Sequence, residues 1–245
     1  MDAAGILEAT ISSWASKVVM SIHDLRSQVY QTAMRLVPDG LAHGAQGNIS
    51  AFDRETGLVA VTPSAIPYER MEQGDIVITD LQGQVVEGHW KPTSEILMHT
   101  IFYLVRPDVN AVVHTHAPYA SIFAVTYEPI DTVLNEAAAS LTGTVPVAPY
   151  QTPGTLELAR SAFKTMGDGV AVVLGNHGLL TVGETLALAY DSTLAVEMTA
   201  RIIYMARSMG SRIVPLDAEI QKSVRENFLK KYHPQRVEKH ADISR

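Results

Sequence analysis

The hydrophobic pattern opens as helix and turns to strand only after about residue 45. Ile6, Ile11, Trp14, Val18, Val19 and Ile22 recur at helical spacing, and Val29, Met34 and Leu36 carry the pattern on. Residues 3–36 therefore read as helix, stopped by Pro38, Asp39 and Gly40. Short strand-like runs follow at 48–53 and 58–62. Two more, at 75–79 and 84–87, flank the loop Asp80 to Gly83, which reads as a hairpin. Pro92, Thr93, Ser94 and Glu95 open a helix that Thr93 or Ser94 can cap and Pro107 stops. The apolar run Ala111 to Val113 reads as a buried strand leading into His114, Thr115 and His116. Further helices are expected at 118–125, 155–166, 186–209 and 218–232, and further strands at 170–174 and 179–182.

Helices mixed with short, hairpin-linked strands predict an α/β fold, a three-layer α/β/α arrangement around a largely antiparallel sheet. No repeat, low-complexity tract or linker interrupts the pattern. The chain thus reads as one domain, 1–245, with a helical extension over about residues 1–23. With 47% hydrophobic and 18% charged residues, it has the composition of a globular domain. The net charge of -7 argues against bulk attraction to nucleic acid or an anionic membrane. An anionic substrate stays open, because backbone N–H groups bind phosphate whatever the total charge. No basic leader is visible and no apolar run approaches the ~18 residues of a membrane span, so a cytoplasmic location is expected.

The chain has no cysteine, which excludes thiolate chemistry and Cys-ligated zinc. A metal site must then draw on His, Asp or Glu. His114 and His116, two apart on a strand, point to one face and can share an ion, or they are simply polar residues at a strand end. His177 follows the apolar run Ala171 to Leu174 at a turn, where it is either exposed or a third ligand. Three histidines on zinc leave an open position, as in catalytic sites. Glu95 is either an acid favoured by the helix dipole or a catalytic group, and spacing alone does not place it beside the histidines. His99, one turn on, is a rival fourth ligand or a polar position. The glycine-bearing loop Gly44 to Ser50 lacks the Gly-Lys-Ser/Thr of a Walker loop but can present backbone N–H groups to an oxyanion. The seven lysines do not lie on apolar strands, so the metal route is preferred to a Schiff base.

Taken in order, Gly47-Asn48-Ile-Ser50, Thr62-Pro63-Ser64, Pro92-Thr93-Ser94-Glu95, His114-Thr-His116 and Asn176-His177-Gly178 resemble the class II, zinc-dependent aldolase family over about residues 25–210. The resemblance implies that His114, His116 and His177 bind zinc, with Mn2+ or Co2+ as alternatives. It implies Glu95 as the acid/base group, and a phosphate pocket on Gly47, Asn48, Ser64, Ala65, Thr93 and Ser94. It also implies a homotetramer with active sites between subunits. The family pattern usually has glycine where Ala65 stands and serine where Thr93 stands. The tyrosine proton donor of the fuculose enzymes falls on Asn135, beside Glu136, and a C-terminal tyrosine is matched at best by Tyr232. The implied activity is reversible cleavage of a ketose 1-phosphate to dihydroxyacetone phosphate and a short aldehyde. The alternatives are a dehydratase using Glu136, a 4-epimerase, a hydroxy-acid decarboxylase, and a non-catalytic domain like the adducin head, which lacks the zinc histidines.

Overall fold

The computed structural model describes residues 22–231. Helix α1 spans residues 22–33 and passes through turns to residue 40. The earlier part of the predicted N-terminal helix, and Tyr232, lie outside the described residues.

The seven runs predicted as strands join one eight-stranded sheet. In chain order these are β1 (Asn48–Asp53), β2 (Leu58–Val61), β3 (Val77–Thr79), β4 (Val85–Glu87), β5 (Ala111–Thr115), β6 (Val147–Ala148), β7 (Ala171–Leu174) and β8 (Gly178–Gly183). Across the sheet the order is β4-β3-β2-β1-β5-β8-β7-β6. Every pair is antiparallel except β6 with β7. The order puts β1, β5 and β8 side by side in the middle. Asn48 stands opposite His114, and His114 opposite Leu180.

The helices are α2 (Ile96–Val105), α3 (Pro118–Thr126), α4 (Asn135–Ser140), α5 (Leu156–Met166), α6 (Leu186–Ser208) and α7 (Ala218–Lys231). Thr155 and Thr185 start α5 and α6 by accepting hydrogen bonds from the Leu158 and Leu188 N–H groups. Adjacent strand residues go to opposite cores. Val113 and Leu179 pack with Val29 of α1, Phe123 of α3 and Tyr190 and Val196 of α6. Val112 and Leu180 pack with Met98 and Phe102 of α2 and Leu158 of α5. Both faces are thus covered, which explains why the central strands read as unbroken apolar runs instead of alternating ones. The expected three-layer α/β/α arrangement is observed.

Three local details depart from the sequence reading. Helix α2 begins after Glu95, not at Thr93 or Ser94. Thr93 Oγ1 accepts from the Glu95 N–H instead, so Glu95 occupies the N-cap position. Neither α4 nor β6 was anticipated. Six residues are too few to display a helical period, and a two-residue parallel strand has no local signature because its partner is distant in sequence.

Candidate metal centre

The β5 strand delivers His114 to the face that α2 covers, and His116 follows just beyond the strand end. The β7–β8 hairpin brings His177 to them from sixty residues on. Its three-residue loop is closed by the His177 N–H to the Leu174 carbonyl, with Asn176 in the left-handed region at φ 53°. The three rings stand pairwise edge to face, with centroids 4.8 to 5.1 Å apart. Their potential ligand atoms all lie within 4.8 Å of one another.

Two glycines make that convergence sterically feasible. A Cβ on Gly178 would lie 2.4 Å from the Thr115 carbonyl oxygen and 3.1 Å from His116 Cδ2. A Cβ on Gly47 would lie 2.7 Å from the His114 carbonyl oxygen, and Gly47 also holds φ 78°. Both are close-approach positions that a side chain would force apart.

The donor set fits a divalent metal on several independent counts. His114 Nδ1 is 2.9 Å from the Leu179 carbonyl, which must accept an N–H there and so leaves Nε2 bare. His114 Nε2 and His116 Nε2 are 3.2 Å apart. Tetrahedral zinc with bonds of about 2.0–2.1 Å would hold two nitrogens at about that separation. Burial disfavours the charged imidazoles, taking His114 down to about 3 and lowering His116 and His177 from their ordinary value. All three are therefore neutral near pH 7, the form that ligates. Among the described residues, Glu95 Oε1 and His177 Nδ1 are buried with no hydrogen-bond partner, an arrangement that needs a reason in a protein interior.

Glu95 is 7% exposed and lies against the same cluster. Its Oε2 is 3.3 Å from His114 Nε2 and 2.9 Å from Asn48 Nδ2, and its Oε1 is 3.5 Å from His177 Nε2. Burial pushes the carboxyl up, but His114, the Asn48 N–H and His177 outweigh it, and the group is held below the usual carboxylate range. Glu95 is thus held as a carboxylate base, with Oε1 making no hydrogen bond.

The three segments predicted to hold phosphate meet beside this cluster. Thr93 N–H donates to the Thr62 carbonyl, Ser64 N–H to the Lys91 carbonyl, and Tyr68 Oη to the Gly47 carbonyl. Ile49 N–H donates to Thr62 Oγ1, which ties β1 to the same loop. Thr93 is buried, while Ser94 and Ala65 are exposed. Ala65 holds φ 62°, which explains why glycine is usual there and implies a strain of about 1 kcal/mol in this chain. The Asn48 amide has both heavy atoms engaged, with Glu95 and with His99, and keeps one N–H spare.

Glu136 is exposed in the first turn of α4, and no hydrogen bond or ion pair joins it to the histidine cluster among the described residues. Sequence reasoning missed Ser50 and Tyr103 as members of the site's surroundings, and read His99 as a rival fourth ligand or a polar position, whereas both its ring nitrogens face Ser50 and Asn48. The spacing of Glu95, His99 and Tyr103 by fours, facing alternate polar residues Asn48 and Ser50 on β1, was the available signal.

A three-layer fold with three converging histidines, a buried carboxylate and a hydroxyl-rich loop beside them is an arrangement able to hold a divalent metal next to a base. The chain belongs to the class II aldolase and adducin N-terminal domain family, whose model matches residues 27–204. It is 38% identical over 214 residues to 5-deoxy-D-ribulose 1-phosphate aldolase of Bacillus thuringiensis serovar kurstaki, covering 87% of this chain and 97% of that one. It is 30% identical over 221 residues to L-ribulose-5-phosphate 4-epimerase of Salmonella paratyphi B, covering 86% and 96%. Among solved structures, an L-fuculose 1-phosphate aldolase superposes with a TM-score of 0.80 at 38% identity, covering 84% of this chain and 96% of that one. The protein is an aldolase-family lyase with a three-histidine site able to hold a divalent metal.

Proposed function

We propose that the protein catalyses reversible aldol cleavage of a ketose 1-phosphate, with zinc held by His114, His116 and His177. The carrying observation is the buried Glu95 carboxylate, whose Oε1 makes no hydrogen bond, set beside three histidines whose ligand atoms lie within 4.8 Å of one another. When bound, zinc supplies a Lewis acid for the substrate's ketone and adjacent hydroxyl oxygens. Glu95 takes the proton that leaves the substrate and returns it, a role suited to a base within hydrogen-bond reach of the reacting atoms. Gly47, Asn48, Ser64, Ala65, Thr93 and Ser94 hold the phosphate through N–H and O–H donors and so fix the register of the sugar. Two similar proteins, aldolases of 5-deoxy-D-ribulose 1-phosphate and L-fuculose 1-phosphate by name, support the 1-phosphate of a ketose as substrate class. The products are then dihydroxyacetone phosphate and a short aldehyde.

The reading includes assembly into a homotetramer, supported by the exposed apolar row Met198, Ile202 and Met205 along α6, continued by Met209 just past its end. The direct test is release of dihydroxyacetone phosphate from a panel of ketose 1-phosphates. Protein stripped by a chelator should lose the reaction and regain it with zinc. Full activity without metal, or water loss without aldehyde release, would dispose of the proposal. Parallel assays of Glu136→Gln should leave aldehyde release within about twofold of wild type, as expected of a residue making no contact in the transition state.

A further inference from the structure

Behind Glu95 runs one continuous line of buried polar side chains. Asn48 Nδ2 lies 2.9 Å from Glu95 Oε2, and Asn48 Oδ1 lies 2.6 Å from His99 Nε2. His99 Nδ1 lies 2.6 Å from Ser50 Oγ, which lies 2.6 Å from Tyr103 Oη. Every member is less than a tenth exposed. The line zigzags between two elements: Asn48 and Ser50 are two apart on β1, while Glu95, His99 and Tyr103 are four apart at the start and along one side of α2. The ring of Tyr103 then stacks on Phe52, the next residue of that strand face, at 5.1 Å.

Chemistry allows this line one direction. An ionised carboxylate accepts hydrogen bonds and donates none, so Asn48 must turn its NH2 to Glu95 and its carbonyl to His99. The carbonyl also only accepts, so neutral His99 carries its proton on Nε2. Its Nδ1 is then bare and takes the Ser50 hydroxyl proton, and Ser50 oxygen accepts from Tyr103. The reverse polarity would set an amide oxygen against a buried carboxylate, which the interior strongly penalises.

We propose that Ser50, His99 and Tyr103 are positioning residues that act through Asn48 to hold the Glu95 carboxylate facing His114 and His177. The proposal rests on Glu95 being the acid/base group. The line is a brace and not a proton wire. An amide donates from nitrogen and accepts at oxygen, and passing a proton through it would require its imidic acid form. Protons therefore leave Glu95 toward the substrate side.

The test uses zinc-loaded protein with 15N-labelled histidine. Long-range proton–nitrogen spectra should show His99 as a single Nε2–H tautomer. Ser50→Ala removes the donor to Nδ1, so the Nδ1 resonance should move to that of a nitrogen without a hydrogen bond while Asn48 keeps the proton on Nε2. In that variant kcat should fall about tenfold, with KM within about twofold and zinc content unchanged, the pattern of a misoriented catalytic group. Tyr103→Phe leaves the Ser50 hydroxyl in place, so it should keep the tautomer and lose about two- to threefold in kcat. Thr199→Val, which removes a buried hydroxyl that donates to the Ala195 carbonyl of its own helix, should leave kcat unchanged. An unchanged His99 spectrum and near-normal kcat in Ser50→Ala would overturn the brace, as would a kcat loss that merely follows zinc loss. Normal turnover by zinc-loaded Glu95→Gln would instead overturn the acid/base reading, so the two failures are separable.

Discussion

At the scale of single residues, the site is a balance between burial and charge. His99 and His114 are each fully buried, and desolvation takes them to about 4 and about 3. The sign of the pH effect follows. Above pH ~6.5 neither the folded nor the unfolded state is protonated, and these residues contribute no pH dependence. Below that value the unfolded chain binds protons that the folded chain refuses, and stability falls as pH falls. For His99 alone the loss accumulates to about 3 kcal/mol by pH ~4, since one pKa unit is about 1.4 kcal/mol. Glu95 acts in a lower window. Its depressed value adds stability above the ordinary carboxylate range that is lost in stronger acid. Urea unfolding of chelated protein at pH 7, 6 and 5 should therefore show midpoints dropping steadily, and a flat profile would contradict the buried neutral imidazoles. A second residue-scale expectation concerns Glu95 itself. Glu95→Gln preserves shape and a hydrogen-bonding partner for Asn48, yet removes the base, so kcat should fall by about 10²-fold or more while zinc is retained. Metal analysis beside steady-state kinetics checks both halves.

At the scale of elements, the active site is the meeting of a strand end, a hairpin tip and a helix start. The β7–β8 hairpin does most of the placing, because β8 pairs with β5 along five residues and sets His177 beside His114. Gly178 is where those elements touch most closely. Gly178→Ala would drive a methyl group into the Thr115 carbonyl and the His116 ring, so the hairpin must move. We expect a stability loss of about 1–3 kcal/mol, as for overpacking, and zinc bound at least about tenfold more weakly because the third ligand is displaced. Competition against a chromophoric chelator measures the second effect, and unchanged affinity would mean that His177 is not held by this contact. Helix α2 was readable in outline from Ile96, Phe102 and Pro107. Its start was not, because Thr93 and Glu95 are equally good first-turn residues by type. The choice depends on Thr93 N–H being taken by the Thr62 carbonyl, a contact thirty residues away in sequence.

At the scale of the molecule, metal and assembly should both appear as stability. An ion that binds the folded chain alone stabilises it by about 2.7 kcal/mol at a free concentration of one hundred times its Kd. For a domain of this size that is a rise in Tm of about 5–10 °C. Calorimetry of stripped and zinc-reloaded protein should show it, and identical melts would argue that the histidine cluster stays empty. The exposed row on α6 gives the corresponding expectation for assembly. In the proposed tetramer a charge at this row would be buried unpaired, so Met205→Asp should shift the light-scattering mass toward monomer.

Apolar runs and helical periodicity determined the strands β1, β5, β7 and β8, the long α6 and the layered α/β class, because those features are written in neighbouring residues. Residue types and their order determined that histidines, the two glutamates Glu95 and Glu136 and the glycine and hydroxyl loops were the candidates. What the sequence did not contain was their distance. His177 joins His114 because β8 chooses β5 as its partner, and Glu95 faces them because α2 lies across the same side of the sheet. The line from Asn48 to Tyr103 was likewise decided by tertiary packing. A strand repeats every two residues and a helix every 3.6, and only stacking one on the other turns His99 from a polar position into a link between them.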